Sequence, residues 1–349
     1  MKRFVFTSLS LLLLAACGGG GSSTSVTPTS SSSKLTLAIS DAPVEQAQKV
    51  CIAVSSLRLA LADDPNEHIW TPLQFLPTPS EQDACLPAGY TLPLDSAGQP
   101  RFFYLDLLNY QDGKRHTLLS AVELTSGNYE QLRLQVEDGR KNSLEGAGLP
   151  EFPSSYVQDA QGKIFALEVP SSELKLHGFT APADGVLSYQ LEFNLRHALV
   201  LPGHNKYYKL KPNGVKLLSV TTLTTLQGQV GEKLCGGDLS QAGVYLYPAR
   251  LGSTLAYGGL ASSTTEGGPV ATTLVQAATT TTAAGYAIHY VEPGSYDVAL
   301  ICNASNDAVP DEGESSSFLP TLGGLTLNVA VDPTLSNPLT VDLITPLVE

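Results

Sequence analysis

Residues 129–137 read Tyr129-Glu130-Gln131-Leu132-Arg133-Leu134-Gln135-Val136-Glu137. Leu132, Leu134 and Val136 alternate with Arg133, Gln135 and Glu137, the pattern of a strand with one face on a core and one in water. A helix would scatter those six side chains around its axis, because its same-face neighbours recur at three and four residues. Ser126-Gly127-Asn128, immediately upstream, has the composition of the turn that must precede such a strand.

The same period extends outward in both directions. Leu35, Leu37 and Ile39 alternate with Thr36, Ala38 and Ser40, and the run stops at Asp41-Ala42-Pro43, where Asp41 is expected to cap a turn. Val50, Ile52 and Val54 are followed by Leu57, Leu59 and Leu61, a change of phase at Ser55-Ser56 that predicts a β-bulge or a twist. Residues 63–101, rich in Pro, Asp and Gly, read as a long loop, and strand character resumes at Phe102–Leu108. Periodicity leaves Leu118–Leu124 open between a helical turn and a strand. Leu187, Tyr189, Leu191, Phe193 and Leu195 then alternate with Gln190, Glu192, Asn194 and Arg196, and Tyr207–Leu218 closes the first domain. Beyond it, strands are expected at Leu226–Val230, Val244–Tyr247, Tyr286–Val291, Tyr296–Ile301, Leu325–Val331 and Leu339–Ile344. The Gly/Ser/Thr/Ala-rich stretch 252–285 reads as a flexible insertion. No heptad or long 3.6-residue period follows the N-terminal segment. Many short strands with Gly, Pro and Asn turns predict an all-β chain of two tandem sandwiches, residues 34–218 and 219–349.

Several motifs of the first domain occur in order: Leu37-Ala38-Ile39-Ser40-Asp41-Ala42-Pro43, Leu105-Asp106-Leu107-Leu108, Ser126 through Leu134, Val169-Pro170-Ser171-Ser172 and Tyr208-Lys209-Leu210-Lys211-Pro212. Together they resemble the family catalogued as domain of unknown function 4382, found in exported bacterial lipoproteins. The resemblance implies a β-rich domain and carries no assigned activity. In the second domain, Gly228-x-Val230, Val244-x-Leu246, Gly285-Tyr286 and Pro293-Gly294-Ser295-Tyr296 resemble carboxypeptidase-regulatory-like, prealbumin-type sandwiches. There the Pro-Gly turn joins two strands and Tyr296 begins the second; such domains are structural or binding accessories.

The N-terminus sets the compartment. Lys2 and Arg3 precede the apolar run Phe4–Leu14, and Leu14-Ala15-Ala16-Cys17 follows. The run is shorter than the ~20 residues a spanning helix needs. It resembles the substrates of lipoprotein signal peptidase: residues 1–16 would be removed and Cys17 acylated, and residues 17–33 would form a Gly/Ser/Thr tether with a reach of roughly 20 Å. Two or more acyl chains hold a protein durably on a bilayer. Gly18, in place of Asp, favours the outer membrane by analogy. Cys51, Cys85, Cys235 and Cys302 remain, an even number that suits disulfides in an oxidising compartment. Of the three possible connectivities, Cys51–Cys85 with Cys235–Cys302 keeps each bridge inside one domain.

A formal charge of −13 argues against a nucleic-acid partner, which would require a basic patch. Lys206, Lys209, Lys211 and Lys216 are the local basic cluster and read as a solvated strand face. The six histidines, His68, His116, His177, His197, His204 and His289, show no metal-ligand spacing, and no nucleophile elbow or phosphate loop is present. Carboxylate pairs for acid/base work meet in space, so spacing is silent about them. The leading expectation is a non-catalytic, lipid-anchored surface-interaction or envelope-structural protein without a cofactor, whose partners are the bilayer and an envelope or extracellular glycan or protein. One alternative is glycan- or calcium-dependent adhesion, with Trp70 as a stacking platform, against its favoured role of covering one end of the core, or Asp307, Asp311, Glu312 and Glu314 as oxygen ligands for Ca²⁺. A hydrolase with carboxylate chemistry is the third reading.

Overall fold

A computed structural model describes residues 31–42, 47–62, 67–75, 84–201, 206–250, 256–310 and 316–344. The signal segment, Cys17 and most of the tether lie outside the described residues, as do Pro43, His204, Asp311, Glu312 and Glu314. Among the described residues no helix is long and apolar enough to cross a membrane.

The regular structure is strand, with almost no helix. The first half contains β1 (Ser32–Ala42), β2 (Ala47–Leu61), β3 (Glu67–Trp70), β4 (Phe103–Asp106), β5 (His116–Thr125) and β6 (Gly127–Val136). There follow β7 (Ser143–Leu144), β8 (Phe152–Pro153), β9 (Tyr156–Asp159), β10 (Ile164–Glu168), β11 (Glu173–Ala181) and β12 (Val186–Asn194). A helical turn, α1 (Leu195–Ala198), leads into β13 (Leu199–Val200), β14 (Tyr207–Leu210) and β15 (Val215–Ser219). The second half has β16 (Thr224–Gln229), β17 (Gly243–Pro248), β18 (Ala271–Leu274) and β19 (Gly285–Val291). It ends with β20 (Gly294–Ile301), β21 (Leu322–Val331) and β22 (Leu339–Thr340).

Two sandwiches result. In the first, a sheet of order β15-β12-β1-β5 packs on a larger one of order β11-β6-β2-β9-β10-β14-β13, with β3 and β4 also paired to β2. Leu35, Leu37, Ile39, Leu191 and Phe193 from the smaller sheet meet Ile52, Leu57, Leu59, Leu132 and Leu134 from the larger, all at 0% exposure. The alternation of β6 thus faces inward as its sequence required. The register of β2 against β6 slips between Val54 and Ser56, where the change of phase predicted it. In the second sandwich, β19-β16-β22 packs on β18-β17-β20-β21 around Leu226, Val244, Leu246, Ile288, Val298 and Leu300. β19 and β20 belong to different sheets and are joined across Glu292 and Pro293, and the Tyr296 hydroxyl donates back to the Glu292 carbonyl at 3.0 Å.

Both disulfides form within one sandwich each, Cys51–Cys85 and Cys235–Cys302. Cys51 and Cys85 sit in a satellite core on the outer face of the larger sheet, with Phe102, Tyr104, Leu144 and Tyr156.

One open reading is decided and two expectations need correction. Leu118–Leu124 belongs to a strand, β5, which pairs antiparallel with β1. Residues 63–101 are not wholly loop: β3 pairs with β2, and it carries Trp70. The stretch 252–285 is not simply a flexible insertion, because Ala271–Leu274 pairs with β17 over four residues and extends the sheet. Thr272 and Thr273 are β-branched and suit a pleated surface, a preference hidden by the low-complexity composition around them.

Candidate functional site

The two hydrophobic cores are separate, yet Ser31–Glu349 forms one compact unit. Polar side chains from the outer face of β12 and β15 make the joint.

Its centre is Arg196. Asn194 caps α1 by accepting from the His197 amide, and the turn projects Arg196 into the second sandwich. There it is 7% exposed and donates to Thr272 Oγ1 (3.2 Å) and to the Ala304 carbonyl (2.7 Å). Its guanidinium carbon lies 5.8 Å from the ring centre of Tyr245. Lys211 Nζ donates to the Pro310 carbonyl at 2.6 Å and Lys216 Nζ to that of Val270 at 3.3 Å. The lysine strip read as a solvated face therefore grips the neighbouring domain in part, although Tyr208 and Leu210 do face inward.

Asp307, expected among calcium ligands, is instead a buried clasp. Its Oδ2 accepts from Tyr245 Oη (2.8 Å) and the Leu260 amide (2.8 Å), which ties residues 256–262 to the sheet. Burial pushes the Asp307 carboxyl up, against the opposing pull of the Leu260 amide, the Tyr245 hydroxyl and Arg196. Its presumed companions Asp311, Glu312 and Glu314 lie outside the described residues. Trp70 is likewise not a stacking platform: it is 7% exposed and packs in the first core, with His68 stacked at 6.0 Å. Pairing of β3 to β2 turns the indole inward, where its area is worth most.

A second polar group lies on the same outer face. Ser40 on β1 stands opposite Glu192 on β12, and its hydroxyl donates to Glu192 Oε2. Gln190 Nε2 also reaches Glu192 Oε2, at 3.2 Å. Desolvation pushes the Glu192 carboxyl up to about 7, against the hydrogen bonds from Ser40 and Gln190 and the charge of Lys216. Asp41 is raised well above the carboxylate range, first by burial and further by Glu192, with the Gln111 amide opposing. Asp41 does not simply cap a turn; its Oδ2 accepts from Gln111 Nε2 at 3.0 Å.

From the second sandwich, Tyr290 reaches across. It occupies a bulge in β19, has φ +60°, and donates from Oη to the Gly113 carbonyl at 2.7 Å. A left-handed aromatic residue is a strained feature that surrounding contacts must hold. Gly113 (φ +77°) permits the approach, since a Cβ there would lie 2.9 Å from His289 Nδ1.

Glu192 carries a testable consequence. Its folded pKa is above its ordinary value of 4.5, so folding is favoured where the group is protonated in both states and loses stability as pH rises from about 4.5 through about 7. Glu192→Gln keeps the shape without the charge. Denaturant titrations should show it more stable than the native chain by roughly 2 kcal/mol at pH 8, with the gap closing near pH 4. Equal differences at both pH values would contradict this.

The fold and joint together define an all-β protein of two disulfide-bridged sandwiches held together by buried polar contacts. The family model described as "Domain of unknown function (DUF4382)" matches residues 32–212, over half of the sequence, and the chain belongs to that family. No curated protein matches the chain. A solved structure, "The Bacillus anthracis TIE protein", aligns with 8% identity over 89% of this chain and 33% of that one, with a TM-score of 0.18 that supports no argument. The chain thus spans about a third of that protein's length.

Proposed function

We propose that the protein is a non-catalytic lipoprotein of the outer membrane, anchored through acylated Cys17, that acts in surface interaction or envelope structure. The observation that carries this reading is the joint at Arg196: a buried guanidinium makes two stapled sandwiches a single stiff body, suited to presenting a fixed surface beyond a flexible tether. Two disulfides fit an oxidising compartment. In this reading the second sandwich is of the carboxypeptidase-regulatory-like, prealbumin type, supported by the Pro293-Gly294 turn that joins β19 to β20 and by the Tyr296 hydroxyl bonded back across it. The partners are the bilayer and a glycan or protein of the envelope or its surroundings.

The anchor is tested by labelled palmitate and membrane fractionation. The native chain should take up label and sediment with outer membranes, and its processing should stop in globomycin. Cys17→Ser should be unlabelled and soluble. Processing indifferent to globomycin, or a Cys17→Ser chain that still sediments with membranes, overturns the reading.

A further inference from the structure

A partly open cavity of about 120 Å³ lies where β1, β12 and β15 meet β17, β18 and β19. That is close to the ~150 Å³ of an apolar cavity that accepts benzene. Leu218, Leu246, Val270 and Ile288 line it with hydrocarbon, and Asp41 and Glu192 line it with carboxyls. Asp41 is 2% exposed, and its Oδ1 has no hydrogen-bond partner. The cavity therefore has a buried, unpartnered carboxyl oxygen at Asp41 beside the Glu192 carboxyl.

We infer that this cavity binds a small primary ammonium ion on a short hydrocarbon chain, its N–H groups donating to the carboxyl oxygens of Asp41 and Glu192. The inference goes beyond the anchored-envelope reading and does not depend on it. An ammonium has three donors and no acceptor, which matches the unpartnered Asp41 Oδ1 and the neighbouring Glu192 carboxyl. An anion would leave Asp41 Oδ1 uncompensated. Ca²⁺ takes six to eight oxygens, and the hydrocarbon wall cannot supply them. That wall suits methylenes, each of which gains by leaving water. Lys216, the ammonium already at the cavity, is exposed and donates to the Val270 carbonyl; with the exposed Glu292 and with His289 also in the lining, three carboxyls face one lysine and one imidazole. Because the site favours the ionised carboxyls once an ammonium is present, binding near neutral pH should release protons.

The test is calorimetric titration of the purified full chain with n-butylammonium chloride and, separately, n-butanol, at constant ionic strength. Butylammonium should bind saturably and at least about tenfold more tightly than butanol, a difference of ~1.4 kcal/mol. Heats in buffers of different ionisation enthalpy should show proton release. Asp41→Asn and Glu192→Gln should each weaken butylammonium severalfold. Equal affinity for amine and alcohol, no saturable binding, or unchanged binding in both variants overturns the site. If circular dichroism shows a variant unfolded, the amine-to-alcohol ratio in the native chain decides.

Discussion

Replacing Arg196 with alanine should lower stability by about 3 kcal/mol, since hydrogen bonds to a charged group contribute roughly 1.5–3 kcal/mol each and two are lost together. The change strips donors from Thr272 Oγ1 and from the Ala304 carbonyl. It also removes the positive charge that helps hold Asp307 ionised in its buried clasp, so the loss should deepen as pH rises through the range where that carboxyl ionises. Arg101, which is exposed, is the control: Arg101→Ala should move the unfolding midpoint little. Guanidinium titrations followed by the fluorescence of Trp70 report the first sandwich. Limited proteolysis of residues 256–270 reports the second. If Arg196→Ala and Arg101→Ala behave alike, the joint is not held as described.

Removing the bridge Cys235–Cys302 by paired serine substitution should cost up to about 4 kcal/mol in the chain-entropy description. The two cysteines are 67 residues apart, against 34 for Cys51–Cys85, and doubling a loop adds only ~0.6 kcal/mol to its closure. Loop length thus barely separates the two bridges, whereas burial separates them clearly. Cys51 and Cys85 are both fully buried, while Cys235 and Cys302 keep partial exposure. Exchange requires access of the attacking thiolate to sulfur. Native protein treated with a dithiol should therefore lose Cys235–Cys302 first, and alkylation with mass analysis should find Cys51 and Cys85 still joined until the first sandwich opens. Simultaneous loss of both bridges would contradict that order.

The family motifs and the period-two runs were readable because a strand that buries one face in its own sandwich must write that fact every second residue. Leu35-x-Leu37-x-Ile39 and Leu132-x-Leu134-x-Val136 do so, and the slip at Ser55-Ser56 marks the bulge in β2. Cysteine parity and domain limits were enough to favour the observed bridges. Trp70 covers the core as its size favoured, whereas the alternative ligand roles of Trp70 and Asp307 do not fit for one reason: each lies in a segment whose strand pairing or loop docking comes from residues far away in the chain. Asp307 is held by Tyr245, 62 residues earlier, and Trp70 is opposite Leu57.

The candidate site was invisible for a deeper reason. Ser40, Gln190, Glu192 and Arg196 occupy the outward phase of their strands or the turn that follows, and alternation assigns every such residue to water. Amino-acid sequence alone determined the all-β class, the two cores and the strand faces that fill them, because burying hydrocarbon within one domain leaves a local period. Only the tertiary structure decided that a second sandwich covers the outward polar face of the first. Contact between domains is made by polar groups matched in space, and that matching has no period along the chain.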